Sequence, residues 1–229
     1  MASQRFGRVI ATALATASIA AAATCDTSTL NTTTYLYPIT VAGTTIADVA
    51  NATGRGLCNI ARYNFMADQA ILPNVGQEIA IPAEVCPDEI DDTTCVIDNY
   101  NSTNTCLIGG PRLYYTVNGD TYTAIANRLN LAVTALSTGD ADEVLEAGQF
   151  VKVPLCDPSQ CSYEPFQFTL GEPKCYKDLA DEYGVTVGQI MQLSPTYNYS
   201  QSGYTLATPP TIDLVTNCTY LSDNITVIT

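Results

Sequence analysis

The sequence predicts an α+β protein of three βααβ modules, each a two-stranded antiparallel sheet with two helices on one face, stapled by disulfides. Three observations predict it. A Gly-to-Pro strand motif recurs three times, a turn leading into helical periodicity lies upstream of each copy, and nine cysteines fall largely at the edges of the repeated units. A unit of about 50 residues buries too little apolar surface to be stable alone, so covalent staples are expected.

Residues 1–23 read as a secretory signal peptide rather than structure. Arg5 and Arg8 precede a short apolar run from Val9 to Ala23, which ends in small residues suited to cleavage. The run is shorter than the roughly 20 residues a membrane span needs. An extracellular, disulfide-permissive compartment follows.

The first module is expected over 34–86. Thr40-Val41-Ala42-Gly43 closes a β-branched run, Thr44 and Thr45 offer N-caps, and Ile46, Val49 and Ala50 carry a helical period. A second short helix follows at Leu57 to Tyr63. Gly76 to Pro82 then alternates apolar positions as a half-buried strand does, with Gly turning into it and Pro ending it. Residues 87–106 read as an acidic linker that contains cysteines.

The second module, 111–156, repeats the pattern. Thr116-Val117-Asn118-Gly119 leads through Asp120 and Thr121 to Tyr122, Ile125 and Ala126, with a second helix at Ala132 to Leu136 and a strand at Gly148 to Pro154. The third, 163–212, is looser: Phe168 to Gly171, then Leu179 and Ala180, a second helix from Val185 to Leu193, and a strand at Gly203 to Pro209. Residues 213–229 are expected to form a C-terminal tail.

Composition excludes several functions. With 23 acidic and 9 basic residues the chain lacks the clustered Lys and Arg that phosphate binding needs, so nucleic acid is excluded as a partner. The absence of His removes His-based triads and most catalytic zinc sites. The carboxylate runs Asp88 to Asp92 and Asp140 to Glu146 read as solvated loop charges, because small modules offer no deep cleft to hold a catalytic pair. No enzyme, cofactor, metal or membrane partner is expected.

Cys25, Cys58, Cys86, Cys95, Cys106, Cys156, Cys161, Cys175 and Cys218 read as a disulfide framework. The pairing is left open, and the odd count leaves one thiol unpaired or bonded to another chain. Six Asn-x-Ser/Thr triplets, headed by Asn31, Asn51, Asn101, Asn198, Asn217 and Asn224, are candidate N-glycosylation sites.

The βααβ order, the Gly119-Asp120-Thr121 turn and the strand Gly76-Gln77-Glu78-Ile79-Ala80-Ile81-Pro82 resemble the LysM module. Three such units after a signal peptide, with Gly56-Leu57-Cys58-Asn59-Ile60 and the Cys86 to Cys95 boundary, resemble the secreted LysM effectors of fungi. That resemblance implies a non-catalytic protein that binds chitin oligosaccharides in shallow grooves between two loops. In the first module it points to Gly43, Thr44, Thr45 and Ile46 facing Asp68, Gln69, Ala70, Ile71 and Leu72. In the second it points to Gly119, Asp120, Thr121 and Tyr122 facing Asp142, Glu143, Val144 and Leu145, and in the third to Gly171, Glu172, Pro173 and Lys174 facing Tyr197, Asn198 and Tyr199.

Gly-containing turns expose backbone groups that reach an acetamido group, and with no Trp any ring stacking falls to the 14 Tyr. The same turn residues also serve as helix caps, and Ile71, Leu72 and Leu145 suit a core equally well. A glycan on Asn198 would sit on a groove loop. The resemblance further implies that the first and third modules share one oligomer, gaining effective concentration. A chitin-bridged homo-oligomer is the alternative. Sequestration of chitin fragments from host receptors, shielding of hyphal chitin from chitinases, cross-linking of chitin in the fungal wall, and peptidoglycan binding all stay open. The location implied is extracellular, at the fungal wall or in the host apoplast.

Overall fold

The computed structural model describes residues 25–97, 101–194 and 208–229. The expected signal peptide therefore lies outside the described residues. Among the described residues, four small sheets and five α-helices make a mixed α+β fold.

Strand β1 (Tyr35–Pro38) pairs antiparallel with β2 (Glu78–Ile81), Tyr35 opposite Ile81, and helices α1 (Ile46–Thr53) and α2 (Leu57–Tyr63) lie between them in the chain. The Thr45 side chain accepts from the Asp48 N–H while Asp48 takes the Thr45 N–H, a reciprocal cap. Gly54, at φ 64°, ends α1 in the left-handed conformation that costs Gly least. Buried Asn64 accepts from the Ala80 N–H and donates to its carbonyl, at 2.9 and 2.8 Å, so the end of α2 is tied to β2.

Strands β4 (Leu113–Tyr115) and β5 (Phe150–Lys152) pair the same way around α3 (Tyr122–Leu129). The second helix expected at Ala132 to Leu136 is a single 3-10 turn, Val133–Ala135. Its β-branched Val133 and Thr134 and the nearby Gly139 leave too short a run for a helical nucleus.

Strand β7 (Ser159–Gln167) pairs with β8 (Thr211–Tyr220) around α4 (Tyr176–Tyr183) and α5 (Val187–Leu193). The strand expected at Gly203 to Pro209 falls mostly outside the described residues; the paired strand begins only at Thr211, beyond Pro210. Segment 213–229 holds most of β8 and all of β9 (Thr226–Ile228). Strand β6 (Leu155–Asp157) takes β9 on one edge and β3 (Leu107–Ile108) on the other, so the residues just after the expected linker share one sheet with the C-terminal segment.

The packing is pooled rather than modular. One core joins Ile39, Ile46, Val49 and Ile60 to Cys95 and Cys175. The larger one joins Phe65 and Ile71 to Tyr114, Ile125 and Leu129, and to Phe168, Tyr176, Ile190 and Leu214. Units too small to bury an adequate core separately gain it by packing on one another. Disulfides close Cys25–Cys86, Cys58–Cys95, Cys106–Cys156 and Cys161–Cys218, leaving buried Cys175 as a free thiol.

Candidate carbohydrate-binding site

The first pair of loops is only partly open. Gly43 (φ 82°) is exposed, the Thr44 hydroxyl donates to the Val41 carbonyl, and Thr45 is committed to its cap. Ile46 and Ile71, at 1% and 5% exposure, are core residues. Opposite, Asp68 is buried and accepts from the Ala70 N–H; Gln69 is half-buried and Ala70 exposed.

Asp68 and Asp120 are instead the anions of a buried ionic cluster. Arg128, from α3, donates through Nε to Asp68 at 2.6 Å and through Nη1 to both Asp120 and the Tyr114 hydroxyl. Burial works against the charge on Arg128, but Tyr114 and the two carboxylates hold the guanidinium protonated well above its ordinary range. Burial, aided by Asp120, pushes the Tyr114 phenol upward, so it stays neutral.

This cluster draws the first loop region over the second turn. A side chain at Gly119 would meet the Leu72 side chain at 3.2 Å, and the Asn118 amide donates to the Leu72 carbonyl at 3.4 Å. The facing loop closes from the other side: the Leu145 N–H donates to the Asp120 carbonyl at 2.7 Å, and the Thr123 hydroxyl to Asp142 at 2.6 Å. Thr121 caps α3 and Tyr122 is half-buried, whereas Glu143 and Val144 point to solvent.

The third turn is open. Gly171 (φ 87°), Glu172 and Pro173 are exposed, and Lys174 donates to Glu182 at 2.6 Å while lying over the Phe166 ring. Leu170, Gly171 and Pro173 face Tyr63 and Phe65 across a cavity of about 400 Å³. Tyr197, Asn198 and Tyr199 lie outside the described residues. Three contacts fix the two sides of this cavity. Phe65 stacks on Phe168 at 4.8 Å between ring centroids, the Tyr176 N–H donates to the Met66 carbonyl at 3.0 Å, and Arg62 binds Asp178 through both carboxylate oxygens. Tyr63, Phe65 and Leu170 were not among the residues expected from sequence. The signal present is the aromatic pair flanking Asn64 where α2 ends, with Phe65 in the left-handed region at φ 53°.

Among the described residues no group of His, Cys, Asp and Glu could hold a metal ion, and no helix is long and apolar enough to cross a membrane. The sequon residues Asn31, Asn51, Asn101, Asn217 and Asn224 are exposed, and Asn198 lies outside the described residues.

The protein-family model for the LysM domain matches residues 114–154, from β4 through β5 and the α3 turn. Fold and match together define a LysM-domain protein. The chain is 42% identical over 211 residues to the secreted LysM effector LysM13 of Penicillium expansum, covering 89% of this chain and 87% of that one. It is 30% identical to the secreted LysM effector ECP6 of Passalora fulva, over 77% of this chain and 78% of the relative. A third relative, the secreted LysM effector ELP2 of Colletotrichum higginsianum, is 32% identical over 50% of this chain and 64% of its own. The chain belongs to the secreted fungal LysM effectors, and it is non-catalytic.

Proposed function

We propose that the protein binds chitin, the polymer of N-acetylglucosamine, in the cavity walled by Tyr63 and Phe65 on one side and Leu170, Gly171 and Pro173 on the other. The observation that carries this reading is that cavity: about 400 Å³, within the range of small-ligand sites, and bordered by the exposed Gly171 turn. A turn glycine lets sugar approach the backbone, and apolar and aromatic walls suit both the acetamido methyl and the C–H faces of a sugar ring.

Residues 34–86, 111–156 and 163–212 are read as three LysM modules. The first and third share one groove, and an oligomer seated there meets both in a single chain. The second contributes little, because Leu72 covers Gly119 and its facing loop is hydrogen-bonded shut. Of the first-module candidates, Gly43 and Ala70 are exposed and Gln69 is half-buried, which leaves these three open to a ligand. Secreted after removal of residues 1–23 and glycosylated at the exposed sequons, such a protein sequesters chitin fragments or shields hyphal chitin.

Paired substitutions test the assignment. Tyr63→Ala with Leu170→Ala is expected to weaken binding of a chitin hexamer at least about tenfold, a change of about 1.4 kcal/mol. Tyr122→Ala with Val144→Ala is expected to leave it within about twofold. Equal losses in the two pairs, with melting temperatures matched, remove the composite site.

A further inference from the structure

A second cavity, of about 270 Å³, is lined by none of the described loop residues expected from sequence. Its walls include Leu107, Leu129 and Val185, and its polar edge includes Asn104, Asn130 and Tyr220. No Asp, Glu, Lys or Arg lines it, in a chain of net charge −14. Such a lining suits a neutral ligand with both hydroxyl and apolar faces. Size points the same way, since the volume sits just below the roughly 300 Å³ at which drug-sized pockets begin.

The sequon Asn101-Ser102-Thr103 adjoins this cavity. The Ser102 hydroxyl donates to the Asn130 carbonyl at 2.8 Å, and Asn104 donates to the same carbonyl at 3.0 Å. Asn101 itself is exposed, one residue away from that anchor. The Asn130 side-chain amide makes no hydrogen bond among the described residues, and the Tyr220 hydroxyl has only the Cys156 sulfur, at 3.8 Å. Two uncommitted polar groups thus flank an apolar floor beside an attachment point for sugar.

We propose that an N-glycan on Asn101 folds back and seats its proximal N-acetylglucosamine residues in this cavity. The Tyr220 ring supplies a stacking face, Asn130 and the Tyr220 hydroxyl meet sugar oxygens or the acetamido group, and half-buried Val185 covers the methyl. The chain thereby carries a built-in ligand that covers the junction between β3, α3 and the start of α5. This assignment is independent of chitin binding at the other cavity.

The test is site-resolved release of glycans from the native protein, expressed in a eukaryotic secretory host, with glycopeptides quantified by mass spectrometry. The Asn101 glycan is expected to be released about tenfold more slowly than those on Asn31, Asn51 and Asn224, as a contact worth about 1.4 kcal/mol predicts. Asn130→Ala with Tyr220→Ala is expected to abolish that protection without changing the rates elsewhere. Asn217→Gln, at an exposed sequon residue that does not line the cavity, is expected to leave it intact. An unoccupied Asn101, release at the common rate, or protection that survives the double substitution overturns the proposal. A melting temperature equal to that of the parent protein shows that the double variant is folded, and Tyr220→Phe with Asn130→Asp provides a milder second probe.

Discussion

Arg128 and Asp68, sixty positions apart, form a buried ion pair at 2.6 Å that locks the loop after α2 onto α3. Asp120 completes the cluster from the turn before α3. The geometry makes a structural clamp of two carboxylates that resemble ligand-facing loop residues in the sequence.

Removing the cation leaves two buried carboxylates with backbone N–H donors but no counter-charge. Arg128→Ala is therefore expected to cost about 3–5 kcal/mol, the usual loss when one member of a buried pair is deleted. Equilibrium urea unfolding measures it. A loss under about 1 kcal/mol would show that the cluster is solvated and that the loop is not clamped.

How much was legible follows from such pairs. The strands ending at Pro82 and Pro154 could be read because their apolar alternation and flanking Gly are local signals. Thr45 and Thr121 were readable as caps for the same reason, and both cap their helices. Asp68 and Asp120 could not be read as clamp residues, because their partner is distant in sequence and nothing local marks it. Ile71 left core and groove unresolved until pooled packing placed it in the interior, where Ile46 also lies. The helix expected at Ala132 to Leu136 failed because periodicity over five residues does not separate an α-helix from a 3-10 turn.

Acid is expected to weaken the junction around Arg62. Burial opposes ionisation of Asp91, but hydrogen bonds from Thr94 and from Arg62 outweigh it and hold the carboxyl well below its ordinary range. Burial also opposes ionisation of Asp178, where Arg62 and the Cys175 N–H prevail. Both carboxyls have folded values below the unfolded value of 3.8, so the unfolded chain takes up protons first as pH falls. Their contribution is fully present well above 3.8 and is lost as pH drops through the lowered folded values. Unfolding free energy is expected to fall between about pH 5 and pH 2, and less steeply in Arg62→Met. Parallel profiles for the two proteins would assign the acid sensitivity elsewhere.

The disulfide Cys58–Cys95 closes a loop with a sequence separation of 37, anchoring α2 to the segment that carries Asp91 and Thr94. Replacing both cysteines by alanine is expected to cost about 4 kcal/mol in the chain-entropy account. Thermal unfolding under non-reducing conditions measures the loss. A change of under about 1 kcal/mol would mean that Asn59, which accepts from the Asp91 N–H, and Arg62, which donates to Asp91 and Thr94, already hold this segment without the covalent link.

Cys175 should be chemically silent in the folded protein. Burial, and then the neighbouring Asp178 carboxylate, push its thiol up to about 12, and its sulfur donates to that carboxylate at 3.2 Å. A thiol reagent at neutral pH is expected to find no reactive sulfhydryl in the native state and one in denaturant without reductant. Fast labelling of the native protein would place Cys175 at the surface and undo the assigned packing of α4 on α2.

Calorimetric titration of the deglycosylated mature protein with a hexamer of N-acetylglucosamine tests the central claim most directly, with cellohexaose and a peptidoglycan fragment as controls. The account predicts heat with the chitin hexamer alone, at one ligand per chain, and its loss in the variant carrying Tyr63→Ala and Leu170→Ala. No heat with chitin, or equal heat with cellohexaose, would contradict chitin recognition by the cavity between Phe65 and Gly171.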